Sequence, residues 1–496
     1  MDYILGIDIG TGSTKAVALD HSFKPIAENQ EYYPTTSPNP GFQEQDPELI
    51  WEALLTCIDH VVQEIGTAPK AIGFSSAMHS LIPVDKNCGP LSRMTTWADS
   101  RNAHIAKRLS ASKDGALIYN ATGTPIHAMS PLCKIIGMRE DEPLLFSKAR
   151  KFISIKEYIW FKLFGEYVVD NSIASCTGLF NIHKLAWDSD ALEAAGISTD
   201  QLSVPVETDY TKQGAALMDN ILPSLKYTAF VIGASDGCLA NLGSHALENG
   251  TAALTIGTSG AVRIANNRPI LDDKLMPFSY ILNRETYICG GPVNNGGMVL
   301  EWLRKEIFSK ENQSETSYDD LFEGIGEIPA GSDGLIFLPY LSGERAPLWD
   351  SESTGAFIGL TLSHTQAHMI RAAIEGVCFA LNQVLQVIEQ CAVNISQISV
   401  SGGFVQSKLW MQVLADVTGK TLVLVQENDA SAIGAAYLAA YKTGYSHKLI
   451  PVDTIIKQTI QPDCSSHEIY NKQFKLFKDL YLTLKPAMHQ LNQNKL

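Results

Sequence analysis

The feature that most constrains this chain is a glycine-rich turn between two apolar runs, which occurs twice, about half the chain apart. The first copy centres on Ile9-Gly10-Thr11 and the second on Ile256-Gly257-Thr258. Alternating apolar residues on both sides of each turn predict a β-hairpin. A helical segment and a further strand follow each hairpin in the same order. The repeat therefore predicts two related halves, whose glycine-rich turns we expect to face each other across a cleft.

The first turn carries groups suited to a phosphate. Its glycines, including Gly12, let backbone N–H groups converge on one point, and Thr11, Ser13 and Lys15 add further donors. Asp8, arriving at the turn, is a carboxylate suited to a hydrated Mg²⁺, which prefers one or two carboxylates together with phosphate. An ordinary hairpin with a surface lysine is the alternative that this stretch alone leaves open.

Two other phosphate-binding motifs do not fit the first turn. The P-loop pattern G-x-x-x-x-G-K-[ST] is absent from the sequence. The dinucleotide pattern G-x-G-x-x-G would need a glycine at Lys15 and a helix after it. Instead, strand-like alternation continues to Asp20, which favours a hairpin.

Composition limits the class of protein. The chain has 496 residues, of which 45% are hydrophobic and 18% charged, which is typical of a globular protein with two or more domains. We find no apolar run of membrane-spanning length and no signal peptide, and therefore expect a cytoplasmic protein without a membrane partner. Nine scattered cysteines without a C-x-x-C pair indicate reduced thiols. The net charge of −15 disfavours a nucleic-acid partner.

Helical spacing and turn residues place the main elements. Asp46-Pro47 is typical of a helix start, with Asp46 as the N-cap, and the apolar spacing continues to Ile65. The segment 151–195 is rich in aromatic and small residues and is expected to form short helices over the site. Further helices are predicted at 102–111, 131–141, 364–392, 429–443 and 466–489, and further strands at 23–34, 71–74, 229–233 and 398–401.

Several polar side chains are expected near a ligand because they follow buried strands, where α/β sheets hold ligands. His79 follows the strand at 71–74 and could contact a substrate or be a satisfied buried histidine. Trp97, Asp99 and Arg101 could face a polyhydroxylated ligand, and the alternative is a core tryptophan with a local Asp–Arg pair. Asp236 follows the strand at 229–233 and is either a general base or the N-cap of the next helix.

The chain resembles the FGGY carbohydrate kinases, a branch of the actin-like ATPase superfamily, over nearly its whole length. The resemblance rests on motifs in the right order: Asp8–Lys15, Gly257-Thr258-Ser259-Gly260, Gly355–Leu360 and His368–Glu375. The N-terminal signature around Met129–Lys134 is less complete, since Gly137 stands where a tryptophan is expected. Gly12, where threonine is frequent, is a smaller departure.

The resemblance implies an α/β fold of two actin-like (ribonuclease H-like) lobes with an interdomain cleft. Residues 1–244 would form the N-terminal lobe, which binds sugar and phosphate, and residues 245–496 the C-terminal lobe, which binds the nucleotide. ATP and Mg²⁺ are the implied cofactors, with Asp8 at the metal and Asp236 as the general base. The oligomeric state is not fixed by the sequence, and a homodimer is one expectation.

The family also implies which residues bind the two substrates. The implied sugar contacts are Met78, His79, Trp97, Asp99, Arg101, His127 and Asp236. The implied nucleotide contacts are Thr11, Gly12, Ser13, Lys15, Gly257, Thr258, Ser259, Gly297, Glu301, Gly402, Gly403 and Ser407.

Within the family, four segments look most like those of gluconokinases, which transfer the γ-phosphate of ATP to gluconate and form 6-phosphogluconate. The segments are Ala77–Ser80, Thr96–Asp99, Gly123–His127 and Gly233–Gly237. Xylulokinases usually have glycine where this chain has Ser80, and they are the nearest alternative.

A gluconate carboxylate calls for a cation in the pocket, and Arg101, His127 and Lys156 are the candidates. Two other classes were considered. An actin-like scaffold switched by ATP would not need the Met78-His79 and Trp97–Asp99 clusters, and a Rossmann dehydrogenase is disfavoured by Lys15 and the hairpin.

Overall fold

A computed structural model of the chain describes residues 2–214, 222–248, 250–274, 276–308, 321–322, 324–391, 394–425, 429–453 and 456–493. It forms two compact units. The first unit comprises Met1–Leu247, Ala265–Cys289 and Glu427–Thr454, and the second comprises Glu248–Ile264, Gly290–Gln426 and Ile455–Leu496.

The first unit is built on a six-stranded sheet. The first hairpin pairs Ile4–Ile9 with Ser13–Leu19 in antiparallel register, as predicted. The strand Ala71–Ser76 runs parallel to Ile4–Ile9, and Ala229–Ser235 runs parallel to Ala71–Ser76. The strand order is Thr211–Gln213, Ala229–Ser235, Ala71–Ser76, Ile4–Ile9, Ser13–Leu19 and Pro25–Tyr32.

Both faces of the central part of this sheet are buried, because alternate residues of its central strands enter different apolar clusters. Leu5 and Ile7 pack with the helix Pro47–Ile65 on one face, whereas Ile4 and Val17 pack with Ala430–Lys442 on the other. The other helices of this unit are Ala103–Ser110, Lys113–Thr122, Pro131–Asp141, Pro143–Lys148, Ile155–Phe164, Asn171–Ser175, Ser189–Ala195 and Asp236–Gly243.

The predicted start of the helix Pro47–Ile65 is confirmed. Asp46 is the N-cap, and its carboxylate accepts a hydrogen bond from the backbone N–H of Glu48 at 3.0 Å. The helix ends at Gly66, whose φ of 79° lies in the left-handed region that favours glycine.

The compact units do not coincide with a division between residues 244 and 245. The helix Ala430–Lys442 belongs to the first unit because it packs directly on the sheet. A β-carbon at Gly6 would lie 1.9 Å from the carbonyl oxygen of Ala432, and one at Gly73 would lie 2.1 Å from that of Ala435. The two strand glycines therefore allow the helix backbone to rest on the sheet.

The second unit repeats the core of the first, as the internal repeat predicts. The second hairpin pairs Thr251–Ile256 with Gly260–Asn266, and Gln397–Ser401 runs parallel to Thr251–Ile256. The strand Thr421–Val425 continues the sheet in parallel and Ile456–Ile460 pairs with it in antiparallel register. The helices of this unit are Met298–Trp302, Gln366–Gln390, Lys408–Thr418 and Cys464–Gln493, and the remaining longer strands of the chain are Phe278–Asn283 and Thr286–Val293.

The helix Gln366–Gln390 is the core helix of the second unit. By length and composition alone it could cross a membrane, but 89% of its most apolar window is buried inside the protein. Its apolar composition is therefore accounted for by its place in the core.

The segment 151–195 differs from the expectation of short helices only. It also contains strands of two or three residues, several of which pair with distant parts of the chain. Lys151–Ile153 pairs with Ile82–Val84, Val168–Asp170 with Val204–Val206, and Phe180–Asn181 with Ala186–Trp187.

Two further short pairs lie outside this segment. Glu44–Gln45 pairs with Met94–Thr95 in the first unit, and Ile336–Leu338 pairs with Ala356–Ile358 in the second.

Candidate active site

Three neighbouring parallel strands of the first unit end at the same edge of the sheet, and each carries a polar side chain there. Asp8 lies beside Ser75 in the register of the first pair, and Asp236 follows directly after the third strand, Ala229–Ser235. The carboxyl ends of parallel strands are where α/β sheets hold ligands. The fold therefore gathers two carboxylates at this edge.

Asp8 is held in place by a hydrogen bond from the Ser75 hydroxyl to its Oδ1, 2.7 Å long. Burial, together with the nearby negative charge of Asp236, raises the pKa of Asp8 to about 7, although the Ser75 bond acts in the opposite direction. Two carboxylates close enough to oppose each other's ionisation form a site that a bound cation would stabilise. These residues fit Mg²⁺, which takes few protein ligands and completes its shell with water and phosphate.

Asp236 is the first residue of the helix Asp236–Gly243. The N-cap position belongs to Ser235, so the prediction that Asp236 could be the cap is wrong. The Asp236 carboxylate accepts a hydrogen bond from the backbone N–H of Gly237 at 2.6 Å. The amino end of a helix favours a negative charge, so this position favours the ionised form of the Asp236 carboxylate.

The first turn is braced by side chains from other segments. The indole N–H of Trp97 donates to the Thr11 hydroxyl at 2.9 Å, and the amide of Gln45 donates to the Thr11 carbonyl. The hydroxyl of Tyr33 donates to the Gly10 carbonyl at 2.6 Å. Gln30 donates to the Ser13 hydroxyl at 2.8 Å. Trp97 and the first turn, which the sequence placed in separate motifs, are thus in direct contact.

Gly12, the departure from the family pattern in this turn, has open space around it. A β-carbon at this position would have no heavy atom within 4 Å. The glycine is therefore not required by packing at this point.

Lys15 is paired with carboxylates of the first unit. Its ammonium lies 2.7 Å from Asp429 and 3.3 Å from Glu28. The prediction that Lys15 binds a phosphate therefore requires it to exchange or share these partners.

His79 is buried, with both ring nitrogens at hydrogen-bonding distance from protein groups. Nδ1 lies 2.8 Å from the carbonyl of Cys176, and Nε2 lies 3.3 Å from the hydroxyl of Tyr280. The backbone of His79 has a φ of 65°, which is uncommon for a residue with a side chain. The geometry supports the alternative of a satisfied buried histidine, whereas its neighbour Met78 is only partly buried.

Asp99 and Arg101 form the local pair that the sequence left as an alternative. The guanidinium makes a bidentate contact with the buried Asp99 carboxylate at 2.7 to 3.0 Å. It also donates to Glu44 at 2.6 Å and lies 3.6 Å above the ring of Phe42. Two carboxylates match the charge of Arg101, which places it as a structural cation.

Lys156 is likewise matched by a carboxylate. Its ammonium is buried 2.8 Å from Asp170 and donates to the carbonyl of Ala234 at 2.8 Å. Burial lowers the pKa of Lys156, and the nearby Asp170 opposes this effect. His127 differs, because its Nδ1 accepts from the backbone N–H of Met129 at 3.2 Å, which leaves the ring proton on Nε2.

A cavity of about 10 Å³ lies beside the first turn and brings predicted residues of both kinds together. Thr11, a predicted phosphate contact, and Met78 and Trp97, two predicted sugar contacts, all line it. A wider groove of about 590 Å³ on the first unit is lined by other residues. Two ion pairs form in its wall, Arg284 with Glu207 at 2.7 Å and Lys442 with Asp209 at 2.9 Å.

In the second unit, the predicted nucleotide residues Gly257 to Ser259 contact the turn that contains Gly297. The N–H of Gly297 donates to the Gly257 carbonyl at 2.7 Å, and the N–H of Gly296 donates to the Thr258 carbonyl at 3.2 Å. Gly297 then begins the helix Met298–Trp302. Glu301 on this helix is paired with Arg304 at 2.8 Å and Lys305 at 2.9 Å.

Sequence reasoning missed Glu344, whose carboxylate binds the residues that precede Gly297 in this turn. The buried carboxylate accepts hydrogen bonds from the backbone N–H of Asn294 and from the side chain of Asn295, the latter at 3.2 Å. Burial raises the pKa of Glu344 to about 7. A carboxylate far along the chain gives no sequence signal for such a contact.

Gly402 and Ser407 have structural roles at the strand-to-helix turn after Gln397–Ser401. Gly402 has a φ of 103°, and a β-carbon there would lie 2.2 Å from the carbonyl oxygen of Ile256. Ser407 is the N-cap of the helix Lys408–Thr418 and accepts from the N–H of Trp410 at 3.3 Å. Gly403, in contrast, has open space where a β-carbon would be.

Family models decide what this arrangement is. The model described as "FGGY family of carbohydrate kinases, N-terminal domain" matches residues 3–243, and that of the C-terminal domain matches residues 252–443. The chain belongs to the FGGY family of carbohydrate kinases. It is therefore a phosphotransferase that acts on a sugar hydroxyl, with ATP as the implied phosphate donor.

Relatives extend over the full length of this FGGY kinase. The gluconokinase of Bacillus licheniformis is 41% identical, covering 99% of this chain and 97% of the relative. The structure of the gluconate kinase from Lactobacillus acidophilus is 33% identical with a TM-score of 0.93, covering 99% of both chains. The structure of the xylulose kinase from Lactobacillus acidophilus has the same identity and TM-score, covering 99% of this chain and 100% of that one. These matches show the predicted actin-like, ribonuclease H-like α/β fold.

The two halves of the FGGY kinase differ at one informative position. In the first, Asp8 accepts from Ser75, whereas in the second the corresponding pair is Thr255 and Ser401, with hydroxyl oxygens 2.9 Å apart. Both pairs occupy the same place in the parallel strand register. The repeated core thus carries a carboxylate in the first unit and a hydroxyl in the second.

Proposed function

We propose that this FGGY kinase is an ATP-dependent gluconate kinase that transfers the γ-phosphate of ATP to the primary hydroxyl of gluconate and forms 6-phosphogluconate. The observation that carries the proposal is the full-length identity of 41% to a gluconokinase. The motif variants around Met78-His79 and Trp97–Asp99, which look most like those of gluconokinases, support the same acceptor.

Asp236 is proposed as the general base. It would take the proton of the primary hydroxyl while that oxygen forms a bond to the γ-phosphorus and the bond from the phosphorus to the leaving ADP oxygen breaks. Its place at the end of a strand, beside Asp8, supports this role. Asp8 would hold Mg²⁺, which neutralises phosphate charge when it is bound.

The other residues are assigned to binding. Thr11, Gly12, Ser13 and Lys15, and likewise Gly257, Thr258 and Ser259, would bind phosphate oxygens, and Gly297, Glu301, Gly402, Gly403 and Ser407 would lie at adenosine. Met78, His79, Trp97, Asp99, Arg101 and His127 would form the sugar side of the site, with His79, Asp99 and Arg101 holding its segments in place through their protein partners. Phosphoryl transfer needs mainly positioning and charge neutralisation, which such a set supplies.

The gluconate carboxylate is proposed to bind one of the three basic side chains Arg101, His127 and Lys156. Arg101 and Lys156 are already matched by buried carboxylates. Binding of the gluconate carboxylate by Arg101 or Lys156 would require that side chain to exchange or share its partner.

We also propose that the enzyme works in the cytoplasm. All nine cysteines are free thiols, seven of them buried, which is typical of a reducing compartment. A homodimer and the absence of nucleic-acid and membrane partners stay predictions.

Xylulose is the second candidate acceptor, because the xylulose kinase structure matches this chain as well as the gluconate kinase structure does. ADP release by the purified enzyme, measured with gluconate, with xylulose and without an acceptor, tests the choice. We expect kcat/KM for gluconate to exceed that for xylulose at least about tenfold. A preference for xylulose would overturn the proposed acceptor.

A further inference from the structure

A buried lysine that sequence reasoning left without a role connects the two segments that carry the proposed sugar contacts. Lys134, on the helix Pro131–Asp141, donates to the carbonyl of His79 at 2.6 Å and to the carbonyl of Thr96 at 2.7 Å. Lys134 is only 2% exposed to solvent. One ammonium group therefore bonds the main chain of both segments.

The position of these bonds is informative. The two segments are hydrogen-bonded to each other at Leu81 and Thr95, in both directions, at 3.0 and 3.1 Å. Just beyond that pair they carry Met78 and Trp97, which line the same small cavity as Thr11. Lys134 thus bonds the two segments between the Leu81–Thr95 hydrogen bonds and the residues that line the cavity.

Lys134 also holds an unusual backbone. His79 has the left-handed φ of 65°, a conformation that persists only when the surroundings fix it. The bond from Lys134 to the His79 carbonyl, and the contacts of the His79 ring with Cys176 and Tyr280, are those surroundings.

The local electrostatics are unusual for a structural lysine. Among the described residues, no carboxylate lies within ion-pairing distance of the Lys134 ammonium. Asp99, whose charge acts on Lys134, forms its ion pair with Arg101. Burial lowers the pKa of Lys134 to about 7, with Asp99 opposing this effect and Arg101 adding to it. A buried amine without a counter-ion is costly, so its two carbonyl bonds must be the reason for its place.

We propose that Lys134 is a positioning residue of this kinase, which sets the separation of the segments 77–80 and 95–99 and thereby the fit of the acceptor. The inference rests on the proposed function only in taking these segments as the acceptor side of the site. Lys134 itself does not contact the reacting atoms in this assignment.

The test compares Lys134→Met, which removes both donors at similar volume, with Lys151→Met. Lys151 is a matched control because it also donates to two backbone carbonyls, those of Asp200 at 3.1 Å and Leu202 at 2.7 Å, away from the sugar segments. Steady-state kinetics are measured for whichever acceptor the wild-type enzyme phosphorylates. A change in the preferred sugar would therefore revise the proposed function without affecting this test.

For Lys134→Met we expect KM for the acceptor to rise about tenfold or more, because a shift of about 1 Å in a binding segment has effects of that order. KM for ATP should rise less, since the bond from Trp97 to Thr11 connects the shifted segment to only one residue of the first turn. Lys151→Met should leave both KM values unchanged. Lys134→Arg, which keeps donors for both carbonyls, should recover part of the loss.

An unchanged acceptor KM in Lys134→Met would overturn the proposal, as would equal rises in both KM values. The same holds if Lys134→Arg folds with the wild-type melting temperature and is as impaired as the methionine variant. If the methionine variant does not fold, Lys134→Gln, whose shorter amide does not reach both carbonyls, replaces it under the same criteria.

Discussion

Asp8 and Asp236 are the two side chains to which we assign the metal site and the general base. They lie at the ends of two parallel strands that flank Ala71–Ser76, and the charge of Asp236 contributes to the raised pKa of Asp8. Two acids in one site can take different roles when their surroundings differ. Here Asp8 has the Ser75 hydroxyl as its partner, whereas Asp236 begins a helix.

Replacing Asp236 by asparagine tests its role as the base. Asp236→Asn should lower kcat for sugar phosphorylation by about 10²–10⁴-fold, since general-base help is typically of that size. Asp190→Asn, an exposed acid in the first turn of the helix Ser189–Ala195, is the control and should keep wild-type turnover. Near wild-type turnover in Asp236→Asn would rule Asp236 out as the base.

Lys15 has two possible roles that substitution can separate. If it binds phosphate, Lys15→Met should raise KM for ATP severalfold while Asp429→Asn has little effect. If its ion pair with Asp429 is what matters, the two variants should have similar defects. Steady-state kinetics with varied ATP measure the difference, and unchanged ATP kinetics in Lys15→Met would count against the first turn as a phosphate site.

Glu157 gives a prediction for stability against pH. It is buried in a capping box with Ser154, and burial raises its pKa from 4.5 to about 7. Between these values the folded protein holds a proton that the unfolded chain has lost, so this group's contribution to stability falls as pH rises through that window. Glu157→Gln can keep the capping box, and because glutamine does not titrate, it removes this fall in stability with rising pH.

The expected result is a melting temperature above wild type at pH 8 but not at pH 4.5. Thermal unfolding of the ligand-free protein at both pH values measures it, with the exposed Glu52→Gln as the control. The same shift at both pH values would show that the charge of Glu157 is not responsible.

Residue identities at the site could be predicted better than their partners. The sequence located Asp8, Asp236, His79 and the Asp99–Arg101 pair, because each stands next to a strand or in a recognisable motif. It could not decide between ligand contact and a protein partner. The deciding groups, such as Cys176, Tyr280 and Glu44, lie far away in the chain.

At the scale of elements, the turn after Gln397–Ser401 gives the sharpest prediction. Gly402→Ala would force a β-carbon against the Ile256 carbonyl in a left-handed backbone, and we expect a loss of about 2 kcal/mol or more in unfolding free energy. Gly403→Ala, one residue on and in open space, should change stability by less than about 1 kcal/mol. Chemical denaturation measures both.

The same pair reports on the nucleotide. If Gly403 lies at adenosine, Gly403→Ala should raise KM for ATP without lowering stability. A Gly402→Ala protein as stable as wild type would show that the hairpin strand and this turn are not as closely packed as described.

Elements with a local signal were predicted well. Both hairpins, the helix that begins after Asp46 and the helix Gln366–Gln390 follow from periodicity and capping residues. The helix Lys113–Thr122 and the short strands within 151–195 were missed. A strand of three residues such as Lys151–Ile153 is defined by its distant partner, Ile82–Val84, rather than by its own pattern.

Gly137 shows how a departure from a family pattern can be absorbed by packing. The sequence has glycine where a tryptophan is expected, and the structure places the side chain of Asn102 there, with Oδ1 only 1.8 Å from where a β-carbon would be. Asn102 is buried. A larger residue at 137 would therefore require Asn102 to move.

At the scale of the whole molecule, a repeated core carries the Asp8 carboxylate in the first unit and the Thr255 hydroxyl at the matching place in the second. The hairpin, helix and parallel strand recur in the same order, which the sequence predicted from the repeated Ile-Gly-Thr. The segments 265–289 and 427–454 belong to the first unit. The sequence did not predict this, because the long-range contacts that place them there have no local pattern. The family match favours a kinase over an ATP-switched scaffold, and the hairpin at Lys15 does not suit a Rossmann dehydrogenase.

Phosphorylation of gluconate on its primary hydroxyl is the reaction that we propose for this kinase. Phosphorus NMR of a reaction with ATP, Mg²⁺ and gluconate tests it most directly. We predict one phosphomonoester on the terminal CH₂ group and one ADP for each product molecule. Release of inorganic phosphate alone, or a phosphate on the carboxylate or on a secondary hydroxyl, would contradict the account.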